Sequence, residues 1–194
     1  VHRLTFGISS DALAQFTIVL AALIHDVDHV GLPNFILINE NASLAQKYDN
    51  KCVAEQNSVD IAWNILMDKE YEDLRRCIYA DEHELQRFRQ LMVNLVLATD
   101  IFDKDMRSIR INRWNKAFHE DEATIENSNR KATIVMEYII QASDVAHCMQ
   151  HFTIYRRYNE RLFSELYTAF RLGHLRTDPS LGWFEGEKGF LDNY

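Results

Sequence analysis

Apolar stretches follow one another along the chain, each closed by polar residues and each spaced as a helix rather than as an alternating strand. Ala12 to Ile24 is apolar apart from Gln15 and Thr17, and Ser9-Ser10-Asp11 ahead of it offers a side-chain cap for a helix N-terminus. That helix is expected to run into His25-Asp26-Val27-Asp28-His29 and to stop near Gly31-Leu32-Pro33-Asn34. Short helices are predicted at Asn34 to Asn39 and Ser43 to Tyr48. Longer ones follow at Cys52 to Met67, where Ile61, Ile65 and Leu66 keep helical spacing, then at Glu82 to Phe102, Arg130 to His147 and Phe152 to Leu172. The stretch after Gly173, through Thr177-Asp178-Pro179-Ser180 and Gly182 to Gly186, reads as a loop, with a last helix from Lys188 or Gly189. No run sustains period-two alternation between turn residues, so no strand is predicted.

Composition sharpens this picture. Only 6 Gly and 2 Pro occur in 194 residues, too little punctuation for a sandwich or barrel, which leaves an all-α fold. With 47% hydrophobic and 26% charged residues, the chain can bury a core, and residues 1–194 read as one compact multi-helix domain. The net charge of −8 repels phosphate backbones and argues against nucleic-acid binding. A small anionic substrate stays open, because a bound cation can invert the local field. Cys52, Cys77 and Cys148 form no CxxC pair and are odd in number, which suits a reducing cytoplasmic setting. The most apolar run, Leu13 to Ile24, is too short to span a bilayer. The chain begins at Val1 without an initiator Met, as an excerpt would.

Chemistry concentrates at the helix ends. His25, Asp26, Asp28 and His29, followed by Asn34, form the densest group of ligand-type side chains. On a continuing helix His25, Asp28 and His29 would share one side and Asp26 would stack with His29. An imidazole beside a carboxylate can hold a divalent ion, and the carboxylate can bridge two. The alternative is a solvated last turn with His favoured by the helix dipole. Asp144 ends another apolar helix and Asp100 follows the apolar run Leu91 to Ala98; each is either a buried acid needing compensation or a surface residue. Glu55, among small and polar residues, has the same two readings. Several apolar helices each ending in an acid is the pattern of a polar pocket inside a helical bundle.

Taken together, His25-Asp26-Val27-Asp28-His29-Val30-Gly31-Leu32-Pro33-Asn34 closely resembles the HDxDHxGxxN signature of class I cyclic-nucleotide phosphodiesterases. The resemblance continues through Leu97-Ala98-Thr99-Asp100, Ala142-Ser143-Asp144, Tyr155 to Arg161 and Gly189-Phe190-Leu191-Asp192, in the family's order and over essentially the whole chain. It implies an all-helical domain of the HD-superfamily type that hydrolyses cAMP or cGMP with two divalent cations. His25, Asp26 and Asp144 would bind the tighter ion, usually zinc, and Asp26 would bridge to magnesium or manganese. Glu55, Thr99 and Asp100 would support the water shell of that second ion, with His29 beside the reacting phosphate. Leu162 and Phe190 would grip the base, although spacing alone makes both ordinary helix core. His147 and Glu187 would meet the nucleotide, as would Asp26 and Asp144 through the metals.

Departures from the family pattern are as informative. The upstream HNxxH motif, which carries a general-acid His and a further metal ligand, is missing, and the only upstream histidine is His2. The domain is therefore expected to be truncated at both ends, its general-acid His lying outside the chain, and the isolated chain to be inactive. Glu187 stands where animal enzymes read the purine with Gln; an ionised Glu accepts but does not donate. Some algal and protist members are similar at this position. Glu55-Gln56-Asn57-Ser58 keeps the acid of the usual ENHH but neither His, and His147 stands where cAMP-preferring enzymes carry Asn. These losses keep alive an alternative, a cyclic-nucleotide-binding module without turnover. The resemblance also allows a covalent fusion to membrane segments or a nucleotide cyclase, which would place the domain on the cytoplasmic face of a membrane. It leaves oligomeric state open.

Overall fold

The computed structural model describes residues 8–101, 103–120 and 125–193. In chain order its α-helices are α1 (Ala12–Ile24), α2 (Asn34–Glu40), α3 (Ala42–Lys47), α4 (Val53–Met67), α5 (Glu72–Ile78), α6 (Glu82–Ala98), α7 (Lys104–Asn115), α8 (Ile125–Asp144), α9 (Phe152–Arg171) and α10 (Trp183–Asn193). A single turn of 3-10 helix precedes α5, another at Ala146–Met149 precedes α9, and α7 closes on a π-helical turn. No strand occurs among the described residues, so the all-α expectation holds.

The chain packs as two compact units, one of residues 1–28 and 52–144, the other of residues 29–51 and 145–194. In the first unit α6 is the central helix, packed by α1, α4 and α8. It buries Phe88, Leu91, Met92, Leu95, Val96 and Ala98. Phe88, fully enclosed, is ringed by Phe16, Trp63 and Tyr79 at centroid distances of 6.2, 6.0 and 6.2 Å. α1 turns Ala14, Thr17, Ala21 and Ile24 inward, a mostly small-residue stripe at helical spacing that lets α1 approach α6 closely. The buried Thr17 hydroxyl donates to Leu13 O at 2.6 Å, so it costs the core no unpaired polar group. Asp11 caps α1 as its position suggests, accepting from Ala14 N at 3.1 Å.

The second unit contains α2, α3, α9 and α10. α2 and α3 pack together, and the 3-10 turn packs on α9. Phe163 of α9 meets Trp183 of α10 edge-on at 5.0 Å and stacks with Tyr167 at 5.8 Å.

Five boundaries differ from the sequence expectation. α1 ends at Ile24 rather than running through His29, because residues 25–28 form a turn that closes with Asp28 at φ +62. His25, Asp28 and His29 therefore do not share a helical face. α6 stops at Ala98, where Thr99 bonds back to Val96 O; Phe102, its expected end, lies outside the described residues. α8 starts at Ile125 and ends at Asp144, three residues short of His147. α10 begins at Trp183, so Trp183 to Glu187 is helix instead of loop. Gly186 there is an interior helix residue, and the turn belongs to Gly182, with φ +83. α5 and α7 had no expectation at all. α7 lacks an apolar stripe because Arg110 supplies part of its buried surface.

Candidate active site

In the first unit the turn after α1 is held from α4. Asn57 Nδ2 donates to Asp28 Oδ2 at 3.2 Å, and the buried Ser58 hydroxyl donates to Val27 O at 2.7 Å. Two residues standing where the family pattern has histidines thus clamp the histidine-bearing turn, a role that the sequence did not suggest.

The clamp presents His25 to two acids. His25 Nε2 lies 3.2 Å from Asp26 Oδ2 and 3.4 Å from Oδ1 of Asp144, the last residue of α8. The other ring nitrogen, Nδ1, sits 2.9 Å from Ala22 O. A carbonyl only accepts, so Nδ1 carries the hydrogen and Nε2 is the nitrogen left for a ligand. Nε2 is buried, and neither carboxylate completes a hydrogen bond to it. A buried nitrogen with two acid oxygens converging on it, and no bond made, fits a divalent cation of the nitrogen-and-oxygen type. Asp144 and then Asp26, working against burial, push the imidazole up to about 10. Its stabilising contribution to the metal-free protein is therefore complete below the ordinary 6.5 and is lost as pH rises through about 10. A cation must displace that proton. Calorimetric zinc titration at pH 7.5, run in two buffers of different ionisation enthalpy, is expected to release about one proton from this site. Affinity should rise roughly tenfold per pH unit up to about 10 and be flat above it.

A second group in the same unit joins Cys52, Glu55 and Asp100, whose ligand atoms all lie within 4.8 Å of one another. Cys52 is the residue ahead of α4, held at φ +39, which places its thiol one turn from Glu55. Burial first, then Asp100 and Glu55, push the thiol up to about 12, so it is neutral in the metal-free protein. No local pattern assigns Cys52 a part in a site, and its spacing of three from Glu55 is a weak signal by itself. Thr99, beside Asp100, donates its hydroxyl to Val96 O at 2.7 Å. Buried Arg110 holds this corner, donating to Ala98 O at 2.7 Å and to Asp100 O at 2.8 Å, while Gln141 Nε2 also reaches Ala98 O at 2.6 Å.

The second unit carries the other predicted residues. Gly31 N–H donates to His29 Nδ1 at 3.2 Å, which leaves the hydrogen of a neutral His29 ring on Nε2, an outward donor. Gly31 itself has φ +72, and a Cβ there would lie 2.7 Å from Glu165 Oε1, so the glycine of the motif serves the backbone. His147 stacks on Tyr155 and Tyr158 at 6.4 and 5.1 Å. Glu187 of α10 accepts from Tyr155 OH at 2.6 Å and from Asn159 Nδ2, both on Oε2. Trp183 Nε1 donates to Asn159 Oδ1 at 3.1 Å. Leu162 is 45% exposed and Phe190 half-buried, so neither is ordinary core.

Residues 4–175 match the family model described as 3′5′-cyclic nucleotide phosphodiesterase, and the chain belongs to that family, whose members are metal-dependent hydrolases. It is 28% identical over 151 residues to a probable 3′,5′-cyclic-AMP phosphodiesterase, pde-4, of Caenorhabditis elegans, covering 76% of this chain and 22% of the relative. It is 26% identical over 181 residues to a cGMP-specific 3′,5′-cGMP phosphodiesterase of Dictyostelium discoideum, covering 92% of this chain and 37% of that protein. The fold matches the crystal structure of the phosphodiesterase domain of the RhoPDE fusion protein from the choanoflagellate Salpingoeca rosetta with a TM-score of 0.70. That match has 24% identity and covers 82% of this chain and 49% of the other. The chain thus spans well under half the length of these two curated relatives. Among the described residues no helix is long and apolar enough to cross a membrane.

Proposed function

We propose that the chain is the metal-bearing and base-binding part of an enzyme that hydrolyses 3′,5′-cyclic nucleotides to 5′-nucleoside monophosphates. The observation that carries this reading is His25 Nε2, buried and unbonded between Asp26 and Asp144. His25, Asp26 and Asp144 would hold the tighter cation, zinc by the chemistry of the donor set. Asp26, with the water shell supported by Glu55, Thr99 and Asp100, would serve magnesium or manganese. When bound, the cations supply positive charge that offsets what develops on the phosphoryl oxygens and favour an attacking water in its deprotonated form. The contact from His25 Nδ1 to Ala22 O fixes the ring so that Nε2 would be the coordinating nitrogen. His29, with its hydrogen on Nε2, can donate to a phosphoryl oxygen, and Glu55 is the chain's own candidate for handling a proton. The proton for the leaving oxygen is assigned to a histidine outside this chain. In the second unit His147, Leu162, Phe190 and Glu187 would receive the nucleoside.

The same proposal includes a parent protein in which this domain is fused to membrane segments or a nucleotide cyclase; the Salpingoeca rosetta neighbour is itself described as a fusion protein. The test is hydrolysis of cAMP and cGMP by the full-length parent with zinc and magnesium, before and after chelation. Turnover that chelation removes and added metal restores is the expected result. Nucleotide bound without turnover would make the protein a binding module on a hydrolase fold.

A further inference from the structure

The break after α1 is not written into its own residues. No Gly or Pro occurs between Ile8 and Val30, and His25 still has right-handed helical backbone angles. Yet Val27 N bonds to Ile24 O at 3.0 Å, one residue short of its helical partner, and Asp28 follows at φ +62. Left-handed backbone at a residue other than Gly crowds Cβ against the following carbonyl oxygen, so the surroundings must hold it there. Two consecutive residues of α4 face two consecutive residues of the turn. Among the described residues the Asp28 carboxylate accepts from Asn57 Nδ2, at 3.2 Å, and from no group of its own turn. Ser58, 1% exposed, has one hydroxyl hydrogen and two carbonyls in reach, Ala54 O of its own helix at 3.1 Å and Val27 O at 2.7 Å. The shorter contact is the one across to the turn.

We infer that Ser58 and Asn57 are positioning residues for the divalent cation: they keep residues 25–28 from continuing α1 and so set His25 and Asp26 against Asp144. This rests on the reading of those three residues as the cation's ligands. A continued helix would turn the Val27 carbonyl along its axis toward the N–H four residues on. The bond from Ser58 and the helical course therefore compete for one carbonyl. Asn57 acts one residue later, on the left-handed Asp28 that closes the turn. The local sequence favours helix here and the tertiary contact overrides it, a conflict expected where a site is being built.

The experiment measures zinc affinity of the full-length protein by calorimetry and follows the Asp28 backbone signals by NMR in the metal-free state. Ser58→Ala is expected to weaken zinc binding by about 10- to 100-fold, the range for residues that orient a metal ligand. Asn57→Ala, at a half-buried position, should weaken it by a smaller factor. In both variants the Asp28 signals should move from left-handed toward helical values. Asp28→Gly adopts the left-handed angles without being held, so in that background Asn57→Ala should have no further effect on zinc. A merely structural role would lower the urea midpoint and leave the zinc affinity of the folded protein unmoved. If Ser58→Ala does not fold, Asn57→Ala and its cycle with Asp28→Gly decide the matter. Unchanged zinc affinity in Asn57→Ala, or a weakening with the Asp28 signals unmoved, would overturn the inference while leaving the metal site standing. Zinc binding by the wild type no different from that of His25→Ala would overturn the metal-site reading and the inference together.

Discussion

Asp144→Ala in the full-length protein is expected to lower cyclic-nucleotide hydrolysis by about 10³-fold or more and to leave far-UV ellipticity nearly unchanged. The two halves of that result have separate causes. Asp144 ends α8 with its side chain 34% exposed, so alanine there opens no cavity and removes no cap from the helix interior. Chemically it removes the larger of the two influences on His25, whose ring is pushed up to about 10 by Asp144 first and Asp26 second. The metal-free variant should therefore show His25 titrating closer to the ordinary 6.5, visible in histidine NMR whether or not metal is present in the assay. A cation that relied on three protein atoms would be left with two. Full turnover in Asp144→Ala would remove Asp144 from the metal site, and a helicity collapse would make it structural instead.

Arg113→Met should destabilise the first unit by about 3 kcal/mol at pH 7, the lower end of what a stranded buried charge costs. Arg113 Nη1 bridges both oxygens of Glu137 at 3.1 and 2.9 Å. Glu137 is 3% exposed, whereas the Arg113 side chain is 38% exposed. The arginine can be lost to water, but the carboxylate cannot follow it. Even with Arg113 and Arg110 nearby, burial holds the Glu137 carboxyl above the usual carboxylate range. An acid raised in the folded state stabilises below its folded pKa and loses that contribution as pH climbs through it. Arg113→Met raises it further, so the gap to wild type should be widest at neutral pH and narrow as pH falls toward 5. Urea midpoints at a series of pH values measure this. Arg113→Met with Glu137→Leu should recover most of the loss, because the stranded charge is then gone. A gap that widens on acidification would show that the pair matters for a different reason.

Helices whose inner face is apolar were legible: α1, α4, α6, α8 and α9 lie where apolar spacing puts them, within a turn or so at the ends. α7 was not, since an inward face that includes Arg110 reads as surface to any rule that sends charge outward. The start of α10 was hidden by Gly182 and Gly186, identical in sequence signal but one in a left-handed turn and the other inside a helix. For the candidate site, the identities of His25, Asp26 and Asp144 were readable, but their geometry was not. Helical spacing implied a ligand face along one helix, and the structure instead ends that helix and brings in an acid from 119 positions away, between 25 and 144. Cys52 and the Trp183–Asn159 relay were invisible for the same reason: each depends on which side chains meet across helices, which no local pattern encodes.

The interleaving of the two units bears on how this protein can be taken apart. The backbone changes unit after Asp28, after Lys51 and after Asp144, so neither unit is a contiguous piece of gene. A boundary placed at any of those points would divorce a segment from its companions: residues 29–51 from α9 and α10, or residues 1–28 from α6. Modular exchange by recombination at those points is closed to such an architecture. Chimaeras between family members should therefore fail to fold when the cut follows residue 51 or 144.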